Sequence, residues 1–317
     1  MDMTQARSLV ESALLTGLSV ILYVGAEIPV LGLLLILLSP IPLVILEMRH
    51  DLRLGFVSLI AGTVLVLLFN GPLSALSYAL GFALLGLSMG RIIELKRSAV
   101  EILGWSSLVS LGCKLIMAVL LFYVTGLNPM NLDMSGSQQI MDMMLKLPVS
   151  TEMSSAVRVQ LEATMKIMPL IVPAVLILVA VIDSATCYWI TGRVLRRLDR
   201  VELPKLPPFN RWRFPSSLMW AFLVGLLCTW GGASYPAQAG FLIRIGLNLD
   251  LLVRTLFLIQ GMSLAAWYMD GRGLPRAVRS VILVMVTIIP FLSQLATIAG
   301  IIDMCWNIRY RFGGDRS

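Results

Sequence analysis

Apolar residues run through this chain in blocks of about twenty, broken by short charged loops, and that pattern predicts a series of membrane-crossing helices. Blocks at residues 8–25, 28–46, 54–70, 73–93, 102–126, 168–191, 216–232 and 247–269 each match the hydrocarbon thickness of a bilayer. The loops between them are short and polar, such as EMRHDLR at 47–53, the charged run at 91–101 and the tight turn at Gly71-Pro72. The second block contains Ser39-Pro40-Ile41-Pro42, whose prolines free backbone carbonyls that lipid cannot satisfy, so that part is expected to face protein or a wet cavity. The fold class is therefore all-α, a polytopic transmembrane helical bundle of about eight to nine spans.

The ninth element is the run at 280–302, long enough for one crossing of roughly 34 Å. Pro290 in its middle permits a re-entrant hairpin instead, and the basic tail WNIRYRFGGDRS favours that return. The largest polar interruption is 193–215 (RVLRRLDRVELPKLPPFNRWRFP), with seven basic residues and a proline-broken second half. It divides the chain into a six-span unit at 1–192, a cytoplasmic joint at 193–215, and a C-terminal membrane unit at 216–317. Fifteen Lys and Arg in the loops on one side, against Lys146, Arg158, Lys166 and Arg244 on the other, place the joint and the N-terminus in the cytoplasm. The expected location is a bacterial cytoplasmic membrane.

Composition agrees with the pattern. Of 317 residues, 58% are hydrophobic and 14% charged, and the mean hydropathy is +0.87, more apolar surface than a soluble domain can bury. The net charge of +7 does not indicate nucleic acid, because the basic residues sit in loops between spans. Cys113, Cys187, Cys228 and Cys305 are widely separated and His50 is the single histidine, so neither a disulfide framework, a metal site nor another cofactor is expected. A phosphate-binding GxxxxGK[ST] loop, an HExxH pair and a GxSxG elbow are all missing, and the chain is not expected to be an enzyme.

Ionisable groups inside spans are the candidates for chemistry, since each costs on the order of 2.5 to 3.5 kcal/mol near the bilayer centre. Lys114 and Asp183 lie about 18 Å and about 22 Å from the outer side, close enough in depth to pair. Such a pair is either a structural clamp or part of a polar ligand site. Asp250 and Arg254, spaced i,i+4, share a face with Phe257 and Gly261, with Gln260 to one side. They form either an intrahelical pair at the interface or the polar mouth of a cavity. Glu11 sits one turn into the first span, where a carboxylate reaches water.

Small residues mark close helix approaches: Gly86 and Gly90 form GxxxG, and Ala13 and Gly17 a small-xxx-small pair beside Ser12, Thr16 and Ser19. These serve internal packing or partner docking. The methionines of the long outer segment, Met130, Met134, Met141, Met143, Met144, Met153 and Met165, have no His or Cys beside them. A surface amphipathic helix, or a lid over a cavity, explains them better than copper.

The stretch SPIPLVILEMRHDLRLGFVSLIAG, then NGPLSALSYALGFALLGLSMG, with Leu247-Asn248, Gln260-Gly261 and GIIDMCWNIRYR, resembles the YybS-like family of multi-spanning bacterial membrane proteins. The first six spans are similar to the S components of energy-coupling-factor transporters, which bind small molecules near the outer side. That likeness implies a docking face for a transmembrane coupling subunit and its ATPases at Ala13 and Gly17, and a lid over the ligand at Glu27 to Leu31. The second docking residue is Gly17 where the pattern has alanine, and the segments after the joint have no counterpart in a six-helix S component. The expected function is small-molecule binding or transport, with Lys114, Asp183, Glu27, Asp250 and Arg254 as ligand-binding candidates. The alternative is a non-transporting envelope or assembly protein that meets cytoplasmic partners or anionic lipid through its basic loops.

Overall fold

The protein is described by a computed structural model covering residues 3–29, 31–125, 155–198, 202–234, 236–306 and 308–309. It is all-helical, with no strand among the described residues. The helices are α1 (Met3–Val24), α2 (Gly32–Leu38), α3 (Ile41–Arg49), α4 (Leu52–Ser77), α5 (Leu84–Glu94), α6 (Ala99–Thr125), α7 (Ser155–Leu198), α8 (Leu218–Ser234), α9 (Pro236–Gly271), α10 (Arg276–Ile288) and α11 (Pro290–Trp306). They sort into two compact units, one of 1–138 with 175–206 and one of 139–174 with 207–317. Among the described residues, five stretches are long and apolar enough to cross a membrane, or up to six if the bent pair α10–α11 is one span. That is fewer than the eight or nine blocks in the sequence: the blocks at 54–70 and 73–93 join into one stretch, Leu52–Glu94, α8 is shorter and apolar, and the block at 247–269, inside α9, is not among the five.

In the first unit, the joined stretch folds back on itself. Gly71 takes φ +82°, open to glycine at no steric cost, and Pro72 restarts the helix behind it. A straight helix would separate residues 62 and 78 by about 24 Å, yet a Cβ added to Gly62 would sit 2.8 Å from the Tyr78 hydroxyl. Tyr78 is fully buried with Val20, Leu43, Leu46 and Val66, and its hydroxyl lies 3.0 Å from Ser19 Oγ. Ser19 Oγ donates to the Ser39 carbonyl (2.8 Å) and Ser39 Oγ to the Ser19 carbonyl (3.2 Å). The Ser39-Pro40 break between α2 and α3 is thus met by protein, as its freed carbonyls require. Residues 39–47 are buried throughout. Downstream, Ser98 and Glu101 make a reciprocal capping box that starts α6, with Ser98 N–H donating to Glu101 Oε2 (3.0 Å) and Glu101 N–H to Ser98 Oγ (3.3 Å).

In the second unit, α9 is the element that others pack on. Gly246 meets Gly225 and Thr229 of α8 so closely that an added Cβ would lie 2.8 Å from the Gly225 carbonyl. Against α11, a Cβ on Gly261 would fall 1.7 Å from the Ala296 carbonyl, and one on Gly300 would fall 2.0 Å from that of Phe257. Only glycine permits this crossing. The first part of α7 joins α9 through Asn248. Pro173 interrupts the α7 ladder, and the Ala174 N–H donates to Asn248 Oδ1 (2.7 Å) while Asn248 Nδ2 donates to the Leu170 carbonyl (2.6 Å). One amide side chain therefore bridges the two backbone groups that a regular helix would bond to each other.

The run at 280–302 is broken rather than straight: α10 and α11 meet at 102° around Ile289 and Pro290. Arg279, near the start of α10, pairs with Asp270, and Thr287 Oγ1 reaches Met262 Sδ at 3.8 Å. α11 then crosses near Gly261 and Phe257 and packs Met304 in one cluster with Val253; beyond its end, Arg309 donates to Ser263 Oγ. These contacts fall between Val253 and Asp270 of α9, a rise of about 26 Å along that helix.

Candidate functional site

Lys114 on α6 and Asp183 on α7 form an ion pair, Nζ to Oδ2 2.8 Å, in the first unit. Depth explains the meeting. Lys114 stands fifteen residues after the start of α6 and Asp183 fifteen before the end of α7, about 22 Å along each antiparallel helix. Lys114 Nζ also donates to Ser110 Oγ, one turn earlier, at 2.7 Å. The lysine side chain is 15% exposed and the aspartate 27%, so the pair is shielded without being sealed. Ser106, Ser110, Ser184 and Thr191 are buried on the same two helices. Among the described residues, the hydroxyls of Ser106 and Ser184 have no hydrogen-bond partner. A part-exposed pair of opposite charges is able to engage a small polar molecule or ordered water, while Ser106 and Thr191 lie about 12 Å from it along their helices.

The other sequence candidates lie elsewhere. Glu27, in a single turn of 3₁₀ helix, accepts a hydrogen bond from Asn70 Nδ2, which ties it to the Gly71 fold-back. Of the proposed lid at Glu27 to Leu31, Val30 falls outside the described residues. Asp250 Oδ1 pairs with Arg254 Nε within α9 at 2.7 Å, and the Arg254 guanidinium sits 5.8 Å above the Phe222 ring. Phe257 and Gly261, on the same stripe, are consumed by helix packing. Gly86 and Gly90 pack on α3, where added Cβ atoms would meet the Pro40 carbonyl at 2.5 Å and the Val44 carbonyl at 2.7 Å. Ala13 is exposed and Gly17 has nothing within 4 Å of an added Cβ. The inward face of α1 belongs instead to Ser12, Thr16 and Ser19. The outer-segment methionines up to Met153 lie outside the described residues, as does the Met165 side chain.

A second buried polar cluster went unread in the sequence. Arg309 Nε is 3.2 Å from Asp303 Oδ2, with both side chains 3% exposed, although that N–H makes no hydrogen bond of its own. The guanidinium donates to the Asn210 carbonyl (2.7 Å) and to Ser263 Oγ (3.1 Å). Gln260 Nε2 donates to Asp303 Oδ2 (2.6 Å), and Gln260 Oε1 accepts from the Phe214 N–H (3.1 Å). Burial pulls the Arg309 pKa below its ordinary value and the Asp303 carboxylate opposes that; a guanidinium stays charged either way. The cluster holds residues 209–214, the proline-broken half of the joint, against α9. A buried acid at the end of an apolar run was the available signal, since it demands a partner.

Among the described residues, no group of three or more His, Cys, Asp or Glu could hold a metal ion. Residues 17–304 match the family described as "Predicted membrane protein (DUF2232)". The chain belongs to the DUF2232 family. This DUF2232 chain is 26% identical over 312 residues to the uncharacterized protein YybS of Bacillus subtilis (strain 168), covering 97% of the chain and 99% of that protein. No solved structure matches it. The DUF2232 assignment makes it a predicted membrane protein, in keeping with its apolar helices.

Proposed function

We propose that this protein binds a small polar molecule within the membrane and takes part in its transport, as the resemblance of the first six spans to S components implies. The observation that carries the reading is the part-exposed Lys114–Asp183 pair. A pair that parts offers one cation and one anion side by side, which complements a ligand bearing both signs. Ala13 and Gly17, open on α1, are the proposed seat of a transmembrane coupling subunit with its ATPases. The N-terminus and the joint are assigned to the cytoplasm of a bacterial cell by the charge distribution of the loops.

Thermal-shift screening of the purified protein against vitamins, metals and nucleotides tests this. A true ligand at a hundred times its Kd stabilises by about 2.7 kcal/mol, and Lys114→Ala is expected to abolish the shift. Exchanging the two charges is expected to keep the fold, whereas either single reversal loses it. A library without a hit, or a shift unchanged by Lys114→Ala, counts against the reading.

One observation favours the alternative, a non-transporting envelope or assembly protein. Arg193, Arg196 and Arg197 line a hollow of about 430 Å³ at the end of α7, with Arg193 stacked 3.6 Å over Trp189. Such a basic surface suits a cytoplasmic partner or anionic lipid. Co-purification with envelope-synthesis proteins and without an ATPase pair supports it.

A further inference from the structure

The second unit contains a cavity of about 700 Å³ between α9 and the α10–α11 bend, lined by Ala265, Trp267, Tyr268, Val286 and Ala296 among others. Its walls are apolar apart from the Trp267 indole N–H and the Tyr268 hydroxyl. Tyr268 is 53% exposed, and the Arg272 guanidinium lies 4.7 Å above its ring. The cavity wall therefore continues directly into a cation. Arg276 follows four residues later, at the first position of α10. Trp and Tyr beside Arg at a helix end are the side chains expected at headgroup depth.

We propose that this cavity is a binding site for an anionic phospholipid, with one acyl chain between α9 and the α10–α11 bend and the phosphate against Arg272. The volume is in the range of built ligand sites. Apolar walls alone take any lipid chain; Arg272 beside the mouth supplies the charge complementarity that selects an anionic headgroup. The phosphate displaces no existing ion pair of that loop, because Asp270 is already engaged by Arg279 and by Asn210 Nδ2.

Trp267 supplies the readout. The full chain is reconstituted in phosphatidylcholine vesicles containing a tenth of brominated phosphatidylglycerol or, in parallel, of brominated phosphatidylcholine. The difference between the native protein and Trp267→Phe isolates the signal of that one tryptophan. The phosphatidylglycerol is expected to quench it with about a fivefold higher apparent affinity, the effect of roughly one basic contact. Arg272→Ala is expected to remove the preference and Arg272→Lys to keep most of it. Equal quenching by the two lipids in the native protein, no quenching by either, or a preference unchanged in Arg272→Ala overturns the proposal. The total tryptophan signal of the native protein needs no variant, and it too is expected to be quenched more strongly by the phosphatidylglycerol.

Discussion

Arg309 offers the sharpest test of how the joint is held. Replacing it with alanine leaves Asp303 buried, and it removes the donors that reach the Asn210 carbonyl and Ser263 Oγ. Because both members of the pair are 3% exposed, water screens little of the loss, and breaking such a pair costs about 3 to 5 kcal/mol. Residues 209–214 are then left with their bonds to Ser263, Gln260 and Asp270 of α9, and trypsin gains access at Arg211 and Arg213. When opening and reclosing are fast relative to cleavage, the cleavage rate follows the opening equilibrium. The lower bound of about 3 kcal/mol corresponds to roughly 150-fold faster cleavage. Limited trypsinolysis of the purified protein, read by mass spectrometry at those two sites, measures it. The double variant Asp303→Leu with Arg309→Met removes both charges and is expected to recover most of the resistance. Cleavage of Arg309→Ala within a fewfold of the native rate, or a double variant as sensitive as the single one, refutes the assignment of this cluster as the latch.

Three further outcomes are expected. Asn248→Leu strips partners from the Ala174 N–H and the Leu170 carbonyl, and is expected to cost about 2 kcal/mol and to speed hydrogen exchange at Ala174 roughly thirtyfold. Gly86→Val drives side-chain atoms into the Pro40 carbonyl and is expected to destabilise by about 1 to 3 kcal/mol in thermal unfolding, whereas Gly17→Ala, in open space, is expected to stabilise by up to about 1 kcal/mol. On the re-entrant return that Pro290 permits and the basic tail favours, a reporter fused after Ser317 is expected on the same side of the membrane as one inserted at Lys205; opposite sides contradict that return.

The features legible in the sequence were those set by composition and by depth along a helix. Block length gave the helices, and equal depth brought Lys114 to Asp183. The Gly71-Pro72 turn was readable because glycine and proline have local conformational meaning. The Asp303–Arg309 pair was not readable. Its members are six residues apart across a helix end, where helical periodicity no longer fixes a shared face, and Arg309 sits among tail residues that look like a solvated basic loop. Nor does spacing decide which small-residue stripe of α1 turns inward. Ala13–Gly17 and Ser12–Thr16–Ser19 are equally helical, and the tertiary partners Ser39 and Tyr78 made the choice.

The Asn248 bridge also bears on biogenesis. A chain made from its N-terminus completes α7 well before residue 248 is synthesised, so the gap at Pro173 stays open while that helix first enters the bilayer. Closing it falls to α9, seventy-four positions downstream of Ala174. A truncated product ending at residue 198 keeps α1 to α7 and still lacks the amide that completes the last of them. Such a fragment is expected to be a target for membrane quality control, and the two halves of this gene product to be separable only when the second is supplied in trans.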